Sequence, residues 1–228
     1  MPAFRKTVLI VVSFLVVLTA LSACSAPAAP QPGANCTVDI TYGSGFRYPP
    51  SYAVWVQDVA AGETATLYVT GKASDDGSVG IEKRPSALPV WFGVKQKEFP
   101  GQKKLPDTLS GATPAKEAHL EVAVPDKFKG KKLQFFVEAN VSYDYNDYYR
   151  EGLKQGEEGY NDVNGQPSII WSRVFEPDPE GYAKSFSLFP AGYGDVLGLD
   201  HDISKDDTHI TTADSIFDDI RIEYTYAP

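Results

Sequence analysis

The chain has 228 residues, with 30 acidic against 21 basic side chains and a formal net charge of −9. That balance argues against nucleic acid as a partner and against electrostatic attachment to anionic lipid. Two cysteines and three histidines offer little for a disulfide framework or a zinc site.

Arg5 and Lys6 open the chain and precede an apolar run from Val8 to Leu21, broken only by Ser13 and Thr19. About fourteen residues is the length of a signal-peptide core and short for a membrane span. The run ends in Leu21-Ser22-Ala23-Cys24, which resembles the bacterial lipoprotein cleavage box. Cleavage before Cys24 and acylation of its thiol would tether the mature chain to a membrane by lipid. An ordinary secretory signal beside a coincidental cysteine is the alternative. Removing residues 1–23 takes away two positive charges and no negative one, so the net charge moves from −9 to −11. Residues 25–35 are rich in Pro and Ala and carry no charge, the composition of a spacer. The expected organisation is a lipoprotein signal peptide over 1–23, a lipid-anchored spacer over 24–36 and one domain over 37–228. Cys36 is then the only free thiol, expected as a small apolar residue near the start of the first strand.

The body reads as mainly β. β-Branched and aromatic enrichment predicts strands over residues 37–42, 52–58, 64–70, 119–124, 133–143, 168–175, 183–188 and 220–226. In the last, Ile220, Ile222, Tyr224 and Tyr226 alternate with Arg221, Glu223 and Thr225. Gly and Pro fall between the runs; Gly43 and Gly45 mark a turn after the first strand. This spacing favours an immunoglobulin-like antiparallel β-sandwich with long loops over a barrel. One short helix is expected over residues 86–97, where Leu88, Trp91, Phe92 and Lys95 fall at helical spacing and Ser86 is placed to cap. Gly93 weakens the pattern, and a strand over 90–95 is the competing reading. The segment 144–167 is long, polar and rich in Tyr, Gly and Asn, as functional or disordered loops are.

Between Pro106 and Pro114 lies Asp107-Thr108-Leu109-Ser110-Gly111-Ala112-Thr113. The flanking prolines predict an ordered, exposed loop. Ser110, Gly111 and Ala112 have little bulk and leave the Thr113 hydroxyl open to another protein. The stretch resembles the Asp-x-x-(Ser/Thr)-Gly-Ala-Thr acceptor motif of proteins that receive covalent FMN from a Mg-dependent flavin transferase outside the cytoplasm. A loop that merely favours small residues is the bland alternative. The resemblance implies Thr113 as the attachment point and Asp107, Ser110, Gly111 and Ala112 as recognition residues for the transferase.

Six segments together, 52–58, 87–91, 107–113, 137–140, 143–149 and 164–168, resemble a family of predicted periplasmic proteins catalogued only as a domain of unknown function. Its members similarly carry such a loop. The resemblance implies an exported β-rich protein associated with extracytoplasmic flavin chemistry. The better-known FMN-binding domains follow their motif with another Ser or Thr and a helix. Here Pro114-Ala115-Lys116-Glu117 follows, which implies a different fold around the loop.

A tethered flavin needs aromatic shielding. Trp91 and Phe92, or Tyr145, Tyr148 and Tyr149, are the candidates, with core packing as the alternative for Trp91. The acidic stretch 200–209, with Asp214, Asp218 and Asp219 beyond it, is either a Ca²⁺ loop or a solvated one. It lacks the Gly and the spaced Glu of an EF-hand. Two readings of function follow. One is a lipid-anchored carrier of covalent FMN, more a redox carrier than a free-standing enzyme, passing electrons to an extracytoplasmic redox partner. The other is a cofactor-free envelope module that binds a glycan, Ca²⁺ or a partner protein through the Tyr-rich loop.

Overall fold

A computed structural model describes residues 31–75, 77, 79–114, 116–178 and 183–226. The leader and the proposed lipid site Cys24 lie outside the described residues. In chain order the strands are β1 (Cys36–Tyr42), β2 (Ser51–Asp58), β3 (Thr64–Thr70), β4 (Ser110–Gly111), β5 (Glu117–Val122), β6 (Leu133–Asn140), β7 (Ile169–Phe175), β8 (Lys184–Ser187), β9 (Phe189–Tyr193) and β10 (Phe217–Tyr224). The helices are α1 (Gly71–Ser74) and α2 (Pro89–Glu98). The strands form a four-stranded sheet, β5-β1-β10-β8, and a six-stranded sheet, β4-β3-β2-β6-β7-β9. The molecule is the mainly β sandwich that the pattern predicts.

Alternation explains the smaller sheet. Val38, Ile40, Leu120, Val122, Ile220 and Ile222 are buried, while Asp39, Glu121, Arg221 and Glu223 stand in water. The central strands of the larger sheet are apolar on both faces. Tyr52, Val54 and Val56 of β2, with Phe135, Val137 and Ala139 of β6, enter the core between the sheets. Ala53, Trp55 and Phe136 point the other way, into a second core roofed by α2. Trp55 and Phe136 stack there with ring centroids 5.0 Å apart. Full burial of such a side chain contributes about 2–3 kcal/mol.

The expected helix is present, as a short 3-10 turn (Pro85–Ala87) followed by α2, and the competing strand is not formed. Leu88, Trp91, Phe92 and Lys95 are all buried. Ser86 does not cap it; its hydroxyl instead accepts a hydrogen bond from Asn164 at 3.0 Å. Pro89 occupies the first turn, where a missing N–H is no loss. Gly93 serves close packing, since a Cβ there would lie 2.7 Å from Cβ of His201.

The end of the expected spacer is part of the fold. The Gln31 amide donates to Glu121 C=O at 3.0 Å, and the Asn35 side chain exchanges hydrogen bonds with Val124. Residues 31–35 are thereby held to the exit of β5, where the Gln31 carboxamide also accepts from the Ala123 N–H at 3.0 Å. Among the described residues no helix is long and apolar enough to cross a membrane.

Cys36 starts β1 and is 3% exposed, with burial pushing its thiol well above the ordinary range. Alkylation at neutral pH should therefore leave the Cys36 peptide unmodified in the folded chain and label it only after denaturation, as read by peptide mass spectrometry. Labelling of the native chain would contradict this packing.

Candidate functional site around the 107–113 loop

The loop 107–113 runs where the chain leaves the six-stranded sheet and enters the four-stranded one. After Pro106 it makes one 3-10 turn (Asp107–Leu109), then adds β4 as a parallel edge strand, with Ser110 opposite Val69 and Gly111 opposite Thr70. Within six residues the chain is in β5, paired with β1. The expectation of an ordered, exposed loop outside any strand is thus corrected at Ser110 and Gly111. Asp107 and Ala112 are exposed, whereas Ser110, Gly111 and Thr113 are half-buried. Asp107 pairs with Lys104 at 3.4 Å across an exposed turn, a contact of small energetic weight.

The clamp on this loop is Tyr68, whose hydroxyl donates to the Ala112 carbonyl at 3.1 Å. Gly111 lies against the same ring: a Cβ there would meet Tyr68 Oη at 2.9 Å and Cε2 at 3.0 Å. The small residues of the motif thus seat the loop as well as open it. Among the described residues no hydrogen bond engages the Thr113 hydroxyl. Gly111→Val should force β4 off Tyr68, at a cost of about 1–3 kcal/mol. The expected result is a thermal midpoint lower by about 5 °C, and an unchanged midpoint would show that the loop does not depend on this contact.

A β-bulge aims Tyr68. Val54 opposes Tyr68 and Trp55 opposes Thr66, so Leu67 is the extra residue and both Leu67 and Tyr68 face the intersheet core. From Tyr68 a row of rings crosses the end of the sandwich. Tyr52 stacks on it at 5.6 Å, and Tyr42 meets Tyr52 edge-on at 6.2 Å. Burial raises all three phenols, Tyr68 up to about 12, so all are neutral at physiological pH. Tyr42 is the inner wall of a cavity of about 480 Å³ formed by the β1–β2 loop together with Lys116 and Ile216. Its backbone N–H donates to the Lys116 carbonyl at 3.3 Å. Gly43 permits this corner, since a Cβ would fall 1.7 Å from the Ser215 carbonyl oxygen. Arg47 lies over the ring of Tyr48 at 5.2 Å on the outer rim.

The other expected site residues lie elsewhere. Trp91 is fully buried in the second core, and its indole N–H donates to Thr66 Oγ1 at 3.1 Å. It has no face open to a ligand, so core packing is its role and the shielding expected of it is corrected. Phe92 meets His201 edge-on in the same region. Tyr148 stacks on His209 with centroids 3.6 Å apart, and Asn146 Oδ1 accepts from the amides of Tyr148 and Tyr149. Gln166 ties the long loop to residues 211–212 through Asp144, Thr211 and Thr212. In the acidic stretch the carboxylates cap their own turns: Asp195 accepts from Leu199 and Asp200, Asp200 from Asp202, and Asp206 from Thr208. Among the described residues no group of three or more His, Cys, Asp or Glu could hold a metal ion.

The sequence reading also missed Glu138, a single acid inside the apolar run of β6. It is fully buried, and its carboxylate accepts from the amides of Val90 and Trp91 at 3.2 and 2.7 Å and from the Ser168 hydroxyl at 2.7 Å. A strand carboxylate thus caps α2 and meets the positive end of its dipole. Burial outweighs these bonds and raises its pKa to about 7.

Fold and site together define a β-sandwich whose two sheets are joined by a loop, 107–113, held on Tyr68. No family model matches the chain, and no curated protein and no solved structure matches it either. The immunoglobulin-like type therefore stays an expectation of the sequence.

Proposed function

We propose that the chain is an exported lipoprotein, anchored through Cys24, that carries covalent FMN on Thr113 as an extracytoplasmic electron carrier. The observation that carries this reading is the clamped loop: Tyr68 fixes Ala112, and the neighbouring Thr113 keeps its hydroxyl free of hydrogen bonds among the described residues. The cavity of about 480 Å³ nearby has the size of a small-molecule site. In the attachment step FAD is the co-reactant, supplied with a flavin transferase. A bond forms between Thr113 Oγ1 and the FMN phosphorus while the pyrophosphate P–O bond breaks. AMP leaves with the bridging oxygen, and the hydroxyl proton passes to a base of the transferase. Bound FMN would supply the redox chemistry; the chain's residues would hold and shield it. The test is co-expression with a flavin transferase followed by denaturing precipitation. Yellow colour that stays with the pellet supports the carrier, and a colourless pellet rejects it.

A second reading, a cofactor-free envelope binding module, is favoured by an aromatic row whose Tyr48 and Tyr143 are exposed and whose Tyr145 is half-buried. Tyr48 lies 5.5 Å from Tyr143, which lies 6.3 Å from Tyr145. Tyr143 is 52% exposed and held at a φ of 66°, a conformation that costs a non-glycine residue about 1 kcal/mol or more. This module would be colourless with or without the transferase.

A further inference from the structure

We infer that the β1–β2 cavity is the seat of the flavin ring carried by Thr113, with Phe46 and Tyr48 as its aromatic walls and Arg47 and Lys116 as its charge partners. The inference rests on the flavin reading above and assigns residues that the acceptor motif does not contain.

Reach is the first argument. Lys116, a wall of the cavity, is three residues beyond Thr113, a span of at most about 10 Å of extended chain. Its carbonyl accepts from the Tyr42 N–H at 3.3 Å, which fixes the cavity end of that span. Chemistry is the second. The lining combines Tyr42, Phe46 and Tyr48 with two cations, in a chain whose net charge is −9. No ion pair among the described residues engages Arg47 or Lys116, and of the described cations these two line the cavity. Unpaired cations around an aromatic cavity suit a planar ring that bears a phosphoester and gains electron density when reduced.

A second hollow, of about 540 Å³, touches the motif at Leu109. Phe99, Lys97 and Lys127 line it together with Glu63 and Glu98, so its two cations are matched by two carboxylates, and Lys127 is already paired with Glu63 at 3.7 Å. Carboxylates there would oppose the same charge, so the β1–β2 cavity is the better seat.

The roles follow from the electrostatics. Positive charge from Arg47 and Lys116 favours the reduced ring and raises its reduction potential, while an aromatic wall at contact distance quenches its fluorescence. The experiment exports the full chain with a flavin transferase, as wild type and as Tyr48→Leu, Arg47→Gln, Lys116→Gln and Lys127→Gln. Intact mass reads loading; fluorescence per covalent flavin and midpoint potential read the seat. The seat predicts a severalfold brighter flavin in Tyr48→Leu and lower potentials in Arg47→Gln and Lys116→Gln, with Lys127→Gln like wild type. Loaded variants that match wild type in both readouts overturn the seat and leave the carrier standing. A shift confined to Lys127→Gln moves the ring to the hollow at Leu109. A wild type without the FMN mass overturns the carrier and the seat together.

Discussion

Glu138→Ala is expected to lower the thermal midpoint by about 10 °C. The substitution strips the cap from α2 and leaves the Val90 and Trp91 amides and the Ser168 hydroxyl without their buried acceptor. Each lost partner costs about 1–3 kcal/mol, partly offset by relief from burying a carboxylate, for a net of about 3 kcal/mol. In a chain of this size that is a shift of about 6–12 °C. The same group sets a pH dependence. Its folded pKa of about 7 lies above the ordinary glutamate value of 4.5, so between them the folded state binds one more proton than the unfolded. The stability from this proton is fully present below about pH 4.5 and is lost as pH rises through about 7, a change of about 3 kcal/mol. Glu138→Gln, which cannot titrate, should lack this fall. Asp144, also raised by burial, titrates in both proteins, so the difference between their curves isolates Glu138. Parallel curves from pH 4 to 8 would contradict the account.

Thr113→Val is expected to remove covalent flavin completely while leaving the fold intact. Valine has the shape of threonine without the nucleophile, and the hydroxyl has no hydrogen bond to lose among the described residues. The thermal midpoint of the unloaded protein should therefore stay within about 2 °C of wild type, since such surface-proximal changes cost about 0.5 kcal/mol or less. Thr113→Ser keeps a hydroxyl and should retain in-gel flavin fluorescence at a reduced level. Fluorescence that persists in Thr113→Val would move the attachment to another side chain.

Much of the sandwich was legible in the sequence because its smaller sheet has one wet face. Alternation such as Val38, Asp39, Ile40 or Ile220, Arg221, Ile222 states the register directly. Three strand segments were not legible. β4 lies inside the run expected as a loop, and its two residues pair with β3 only once the chain is folded. β9 contains Pro190 and Gly192, which read as loop, yet it is an edge strand beside a register shift, where a missing N–H is tolerated. β10 begins three residues before Ile220 because its bulge opposite Thr41 and Tyr42 lets Asp218 and Asp219 both face water. The site was legible only as a motif. That Gly111 must pack on Tyr68 depends on a bulge at Leu67, and no local pattern marks a bulge inside an apolar strand. Lys116, three residues past Thr113, was visible, but its neighbours Arg47 and Tyr48 come from the β1–β2 loop and meet it only in the fold. Glu138 did leave a signal: an acid flanked by Phe136, Val137 and Ala139 is seldom buried without partners. Reading it needed only the question of which helix end it caps.

The most direct measurement is the intact mass of the exported chain made with and without a flavin transferase, followed by peptide mapping. The account predicts one added FMN phosphoester, present only with the transferase and confined to the peptide containing Thr113. An unchanged mass in both preparations would contradict it, and would turn attention to the tyrosine row at Tyr48, Tyr143 and Tyr145 as the working surface of a binding module.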